Sequence, residues 1–496
     1  MRAIFCHIDK SNTMKLLGPT LLILGAILNI LALFMLIPLA LSIAYDSDNQ
    51  LAFFSSATIT SIAGIVFLLI GRKHHFDFMQ PRQVFLITTC AWTGVSLFSA
   101  LPFLFISKPL GVADAVFEAV SGITTTGSSV MAGLDAMPKD ILLWRSLLNW
   151  IGGVGIIGMA IAVLPFLRVG GMRLFKTESS DWSDKAMPRA QSLMAMIIYS
   201  YIALSIVCCL AFWLAGMDLF NAINHAMASV STGGFSTSDN SFAQFDSLLI
   251  HWIAIVFMLA GAFPFVLFVR LLVNKKFLFF RDTQVRGLLL LVALTTAVLA
   301  LQLILSEQMG PLRAVTMACF NLVSVITTTG FASGDYQLWG PLALIVFFFV
   351  TFVGGCSGST TGGIKVFRLQ IFAGLVKEQI ITAVHPRAVI SRRYNNRLIS
   401  SEIIASSISY MFLMTACLVI IAFILALTGL DLLTSFTGAA TALMNVGPGL
   451  GPVIGPAGNF SSLSDTAKWA LSAGMLLGRL EFLTIIVLFS PAFWRA

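Results

Sequence analysis

Four short segments of the 496-residue chain carry the residues best suited to chemistry: Ile-Thr-Thr-Thr-Gly-Ser-Ser at 123–129, Val-Ser-Thr-Gly-Gly-Phe-Ser at 230–236, Ile-Thr-Thr-Thr-Gly-Phe-Ala at 326–332 and Met-Asn-Val-Gly-Pro-Gly-Leu at 444–450. Their chemistry is that of oxygen ligands. Glycine permits backbone angles other residues avoid, so carbonyls can turn to one side, and a threonine hydroxyl adds another oxygen. Rings of such oxygens replace the hydration shell of a bare cation. The loops hold no ring of Asp or Glu, which argues against a filter of the acidic kind. No nucleophile and base, metal cluster or cofactor fingerprint can be assembled from them, so an enzyme is not expected. Aligned on Gly127, Gly234, Gly330 and Gly447, the loops recur roughly every hundred residues, the mark of a duplicated unit.

The surrounding sequence is that of a membrane protein. Apolar residues make up 58% and charged residues 10%, with a mean hydropathy of +0.93, too few charges to cover a water-soluble surface. Apolar runs at 16–44, 52–71, 84–107, 138–167, 191–216, 246–273, 285–306, 338–376, 401–429 and 464–494 each approach or exceed the ~20 residues of a spanning helix. Ten full crossings are therefore expected. Shorter apolar segments at 112–123, 218–230, 311–326 and 431–443 each run into one of the four loops, and at ~1.5 Å per residue they reach only partway across. They are expected to be re-entrant half-helices. Asp114, Asp218 and Asp431 stand where such helices start and can cap their free amides, and the third segment opens on Pro311 instead.

The expected fold class is an all-α membrane protein in which two leading transmembrane helices (1–82) precede four helix, pore helix, filter loop, helix repeats, pseudo-fourfold around one central pore. The repeats are 83–189, 190–283, 284–397 and 398–496. Extended backbone at membrane depth must line a cavity, because a lipid-facing carbonyl would stay unsatisfied. The C-terminal end of each half-helix, carrying about half a negative charge, would favour a cation there. The filter is expected to be lined by Thr125, Thr126 and Gly127, by Thr232, Gly233 and Gly234, by Thr328, Thr329 and Gly330, and by Asn445, Val446 and Gly447. One isolated Thr-Gly motif would be better explained by helix packing, but four at matched positions are hard to obtain that way.

Lys and Arg concentrate at 72–82, 168–189, 270–286 and 365–397, with Arg2, Lys10, Lys15 and Arg495. All fall on one side of a ten-helix count, which puts that side and both termini in the cytoplasm. Topology thus explains the net charge of +8 better than nucleic-acid binding does. The opposite side carries Asp46, Asp48, Asp135, Asp239, Asp335 and Asp465, either concentrating cations at the mouth or simply solvated. The seven cysteines show no paired spacing and behave as small apolar residues.

With these motifs the chain resembles, over essentially its whole length, the membrane subunit of the Trk/Ktr/HKT superfamily of potassium transporters, of the TrkH/TrkI type. The resemblance implies potassium uptake across a bacterial inner membrane, driven by the membrane potential, with some leak of sodium or rubidium. It also implies a homodimer and a cytosolic nucleotide-binding regulatory ring of TrkA type, ATP or NAD residing on that partner and no cofactor on this chain. The connector 377–397 is a candidate landing surface. A sodium- or proton-coupled symporter with broken helices is the alternative.

Residues 353–364, Val-Gly-Gly-Cys-Ser-Gly-Ser-Thr-Thr-Gly-Gly-Ile, interrupt the apolar run 338–376 with more glycines and hydroxyls than a helix in hydrocarbon can hold. A break is expected there, either a plain hinge or a plug made by Gly354, Gly355, Gly358, Ser359, Thr360, Thr361, Gly362 and Gly363; the resemblance implies an intramembrane gate. Arg479 lies deep in the last apolar run, where a charge is costly and marks function by default. It has three expected partners: Glu481, a filter carbonyl or, by the resemblance, the gate loop, and it would act as a barrier to cations. Glu118 is expected behind the filter on loop amides, and His225 as a packed polar side chain.

Overall fold

The computed structural model describes residues 10–72, 81–162, 186–306, 308–388, 391–395 and 397–495. Arg2, Cys6, His74, His75 and most of the basic stretch 168–189 lie outside these, as do the side chains of Lys10, Lys15 and Arg495.

Two long helices open the chain, α1 (Lys10–Ala44) and α2 (Gln50–Gly71). Both are apolar on all sides, so packing between them depends on close approach. Gly25 provides it: a methyl there would sit 2.6 Å from the Gly64 carbonyl oxygen. The helices α3 (Pro81–Ser99), α4 (Leu101–Phe105), α5 (Val112–Ile123), α6 (Lys139–Ala162), α7 (Ala186–Leu214) and α8 (Leu219–Val230) follow. Then come α9 (Leu248–Ala262), α10 (Phe265–Asn274), α11 (Thr283–Ser306), α12 (Pro311–Ile326), α13 (Pro341–Val350) and α14 (Val366–Val384). After a two-residue-per-strand antiparallel hairpin, Arg393–Tyr394 with Arg397–Leu398, the chain ends with α15 (Ser401–Leu427), α16 (Leu432–Met444), α17 (Asp465–Arg479), α18 (Leu483–Ile486) and α19 (Pro491–Arg495). The hairpin is a small departure from an all-helical chain.

Among the described residues, seven helices are long and apolar enough to cross a membrane, making this a helical, multi-pass membrane protein. Three of the ten expected crossings are not continuous. The run 246–273 bends by 93° between α9 and α10, where Pro264 has no amide to donate. The last run bends by 105° after Arg479, where Glu481 (φ 59°) and Phe482 (φ 40°) take left-handed backbone. The run 338–376 is split by the segment between α13 and α14, the one break expected.

The short helices α5, α8, α12 and α16 occupy the four half-length segments. Asp218 accepts from the Asn221 amide and Asp431 from the Thr434 amide, both N-caps, and Pro311 follows the Gly310 cap. Asp114 does not cap. Gly111 holds that place, and Asp114, three residues on, pairs with Lys468 at 2.6 Å.

Candidate functional site

All four short helices end alike. Thr125, Thr232, Thr328 and Asn445 turn left-handed at φ 53°, 53°, 54° and 56°. Their amides bond back to Gly122, Ser229, Val325 and Ala442, and the next amides to Ser121, Ala228, Ser324 and Thr441. This is the Schellman pattern, which normally places glycine at the left-handed position. Asn445 tolerates that geometry, but a β-branched threonine does not, and such strain costs about 1–3 kcal/mol where the surroundings enforce it. Two residues further, Gly127, Gly234, Gly330 and Gly447 are left-handed again (φ 86°, 75°, 85° and 111°), while the residue between keeps negative φ. Alternating handedness turns successive carbonyls toward the same side instead of opposite sides.

The loops meet in a closed cycle. A methyl on Gly127 would lie 2.6 Å from the Gly233 carbonyl oxygen, one on Gly234 1.8 Å from that of Thr329, one on Gly330 2.2 Å from that of Val446, and one on Gly447 2.8 Å from that of Thr126. The structure thus brings Thr126, Gly127, Gly233, Gly234, Thr329, Gly330, Val446 and Gly447 together, each loop against the next and the fourth against the first. The chain beyond the loops repeats the cycle: Asp239 accepts from the Gly133 amide, the Phe242 amide donates to Ala332, the Gly451 amide to Gln337 Oε1, and the Phe460 amide to Ser129. Asp239 therefore serves loop amides, as does Asp335, which accepts from the Gln337 amide.

Buried polar side chains brace the first two loops from behind. Glu118 accepts from the Val130 amide (2.9 Å), the Ser129 hydroxyl (3.0 Å) and Arg145 Nε (2.7 Å), the loop-supporting arrangement expected of it. Arg145 continues to the Ser236 carbonyl at 2.9 Å and lies over the Phe235 ring. His225 is packed, with Nδ1 2.9 Å from the Asn221 carbonyl and Nε2 3.1 Å from Ser236 Oγ. Arg145 was not singled out in the sequence, although the depth rule that marks Arg479 applies equally to a charge within 138–167.

The 353–364 segment packs against the same loops. Its ends are tied by Gly354 N to Ile364 O (2.9 Å), and a methyl on Gly354 would meet Gly362 O at 2.2 Å. Inside, Thr361 Oγ1 takes bonds from the Gly355 amide (3.1 Å) and Lys365 Nζ (3.0 Å) and lies 2.8 Å from Ser359 Oγ. Left-handed Gly358 and Gly363 turn the chain. The segment fills the break in α9: the Cys356 and Thr360 amides take the Ala262 and Gly261 carbonyls, and Gly358 O accepts from Phe265. These are the last-turn acceptors a broken helix leaves open.

It reaches each of the four loops. Thr360 Oγ1 is 3.1 Å from Thr232 Oγ1, the Gly362 amide donates to Thr328 Oγ1 (2.7 Å), and the Gly363 amide donates to Met444 O (2.9 Å). The first loop is reached through Arg479, whose Nη2 donates to both Thr125 Oγ1 (2.7 Å) and Thr360 O. Of the three partners foreseen for Arg479, Glu481 is excluded, because it pairs with Arg368 at 2.7 Å. Arg479 is 4% exposed, and its Nε and Nη1 have no hydrogen-bond partner among the described residues. The strained threonines are thus the residues whose hydroxyls this segment and Arg479 hold.

The TrkH family, described as a cation transport protein, matches residues 49–496. A potassium uptake protein TrkI of Halomonas elongata is 44% identical, covering 98% of each chain, and the TrkH protein of Escherichia coli K12 is 37% identical over 93% of this chain and 96% of its own. The crystal structure of the potassium transporter TrkH from Vibrio parahaemolyticus superposes with a TM-score of 0.89 at 33% identity, over 96% of this chain and 99% of that one. With a family match across nine-tenths of its length and relatives 37% and 44% identical over 93% and 98% of it, the chain belongs to the TrkH family of cation transport proteins.

Proposed function

We propose that the protein takes up potassium across a bacterial inner membrane through a filter of backbone carbonyls, entering from the side opposite the cytoplasmic termini. The four repeats stand pseudo-fourfold around one pore. Thr125 to Gly127, Thr232 to Gly234, Thr328 to Gly330 and Asn445 to Gly447 line the filter, and K+ binds only there. The observation that carries this reading is the cycle in which each loop's glycine abuts the carbonyl of the residue before the next loop's glycine. Four main-chain acceptors, one from each loop, gathered in one cycle suit a dehydrated cation, and the half-helix ends add negative potential. The membrane potential drives entry, each cation gaining about 2.3 kcal/mol per 100 mV.

The 353–364 loop is the gate, and Arg479 is a barrier that also pins it to the first loop. Its hydrogen bonds to three of the loops, and its link to the first through Arg479, support a closed plug on the cytoplasmic side of the filter. Opening requires those bonds to exchange. The protein works as a homodimer, and a cytosolic nucleotide-binding ring of TrkA type biases the gate from the 377–397 connector, which follows the gate loop through α14. The relatives' names speak of a Trk system, which fits a partner. On that connector Arg392 binds Glu378 at 2.7 Å and holds its carboxyl below the usual range.

A coupled symporter also has broken helices near the midplane. Here the α9 break packs directly on the gate loop, and the last helix's break directly follows Arg479, which holds it, so a gated pore accounts for both. Rubidium uptake into proteoliposomes tests the proposal: Gly330→Asp abolishes it if the loops form the path, and uptake at the wild-type rate excludes the filter.

A further inference from the structure

The four filter carbonyls are not chemically equivalent. That of Gly233 alone, among the described residues, has a side-chain amide on it: Asn149 Nδ2 lies 3.2 Å from Gly233 O and 3.4 Å from Gly122 O, while its Oδ1 accepts from the Phe235 amide at 3.3 Å. The network fixes the orientation of this amide, since two carbonyls need a donor and one backbone N–H needs an acceptor. Asn149 is fully buried and sits one turn from Arg145 on the same face of α6. Arg145 ties Glu118 of the first loop's half-helix to Ser236 beyond the second loop, and Asn149 does the same one turn deeper, between Gly122 and Gly233. A methyl on Gly233 would come within 2.4 Å of Asn149 Cγ, so the side chain also sets how far this strand can recede.

The corresponding helices mark Asn149 as an exception. Gly152, Gly261 and Gly478 play one role: a methyl on each would strike the carbonyl near the end of its half-helix, those of Ile123, Val230 and Leu443. Three residues earlier stand Asn149, Met258 and Met475. Only the first of these three helices places an amide where the others place a thioether.

We propose that Asn149 is a positioning residue for ion selection, holding the second filter strand at a fixed distance from the first and drawing electron density from the Gly233 carbonyl. This rests on the filter reading above. A cation that needs a smaller cage, such as sodium, is disfavoured as long as Gly233 O is kept from moving inward. Without the amide that oxygen moves freely and regains full acceptor strength.

The test is the ratio of sodium to rubidium flux in liposomes, normalised to inserted protein, for Asn149→Leu and for Asn149→Met, with Gly330→Asp alongside. A single lost hydrogen bond to a selective site raises the ratio about threefold to tenfold. The Leu variant is expected to show that rise. The Met variant, which removes the donor without adding charge and matches Met258 and Met475 of the corresponding helices, reports the same change if the Leu variant fails to insert. Flux that falls with an unchanged ratio in the variants that insert means a purely structural role and overturns the proposal, while Gly330→Asp still blocking flux leaves the pore standing. Wild-type flux in Gly330→Asp removes the filter itself and this proposal with it.

Discussion

Alanine at Gly127, Gly234, Gly330 and Gly447 separates the cost of handedness from the cost of space. All four have positive φ, so each alanine pays about 1–2 kcal/mol for left-handed backbone. What differs is the contact. The new methyl lies 1.8 Å from a carbonyl oxygen at Gly234, 2.2 Å at Gly330, 2.6 Å at Gly127 and 2.8 Å at Gly447. Favourable contacts sit near ~3.5–4.0 Å, so every site is overpacked, and the neighbour that must give is main chain of the next loop. Overpacking of this kind costs about 1–3 kcal/mol, which brings Gly234→Ala to about 2–5 kcal/mol, enough to lower flux tenfold or more. Gly133 is the control. It has φ 75° like Gly234, but nothing lies within 4 Å of the added methyl. Rubidium uptake into proteoliposomes, normalised to inserted protein, should fall least for Gly133→Ala and progressively more for Gly447→Ala, Gly127→Ala, Gly330→Ala and Gly234→Ala. Equal flux in Gly234→Ala and Gly133→Ala would refute the reasoning, because the loops would then not abut.

Three further outcomes follow from the contacts. Arg479→Ala removes the guanidinium shared by Thr125 and Thr360 and should raise rubidium flux; with charged hydrogen bonds worth about 1.5–3 kcal/mol, roughly tenfold or more is expected if they hold the gate shut. Unchanged flux at normal expression would remove that role. Gly362→Ala places a methyl 2.2 Å from Met444 O and should displace the gate loop, raising flux without Arg479 being touched; measured flux at or below wild type would contradict a plug at this place. Arg145→Met leaves Glu118 buried without its cation and should lower the melting temperature of the detergent-solubilised protein, a loss of about 3–5 kcal/mol, whereas an unshifted melting curve would mean the pair braces nothing.

Much of the arrangement was legible because the repeated features are local. Half-helix length, the loop glycines and the helix-breaking run at 353–364 are all statements about a few consecutive residues, and the structure places helices and a break there. The misreadings come from contacts between distant segments. Asp114 looks like a cap, but the cap position is Gly111, three residues earlier, and the carboxylate is taken by Lys468, some 350 positions away in the chain. Glu481 is two residues from Arg479, yet the backbone turns left-handed between Leu480 and Leu483 and delivers Glu481 to Arg368. The bend at Phe263–Pro264 has its cause in Pro264, which the apolar sequence on either side of it masks. Arg145 carries a sequence signal, a charge at membrane depth, but the brace Asn149 reads as an unremarkable member of an apolar helix until Gly122 and Gly233 are brought beside it.

The most direct test of a cation cage built from main-chain oxygens is a crystal structure of the protein soaked in rubidium, with anomalous scattering collected at the rubidium edge. The account predicts a peak inside the ring formed by Thr126, Gly233, Thr329 and Val446 carbonyls. Rubidium bound only outside that ring, with the four loops intact and the ring empty, would contradict it.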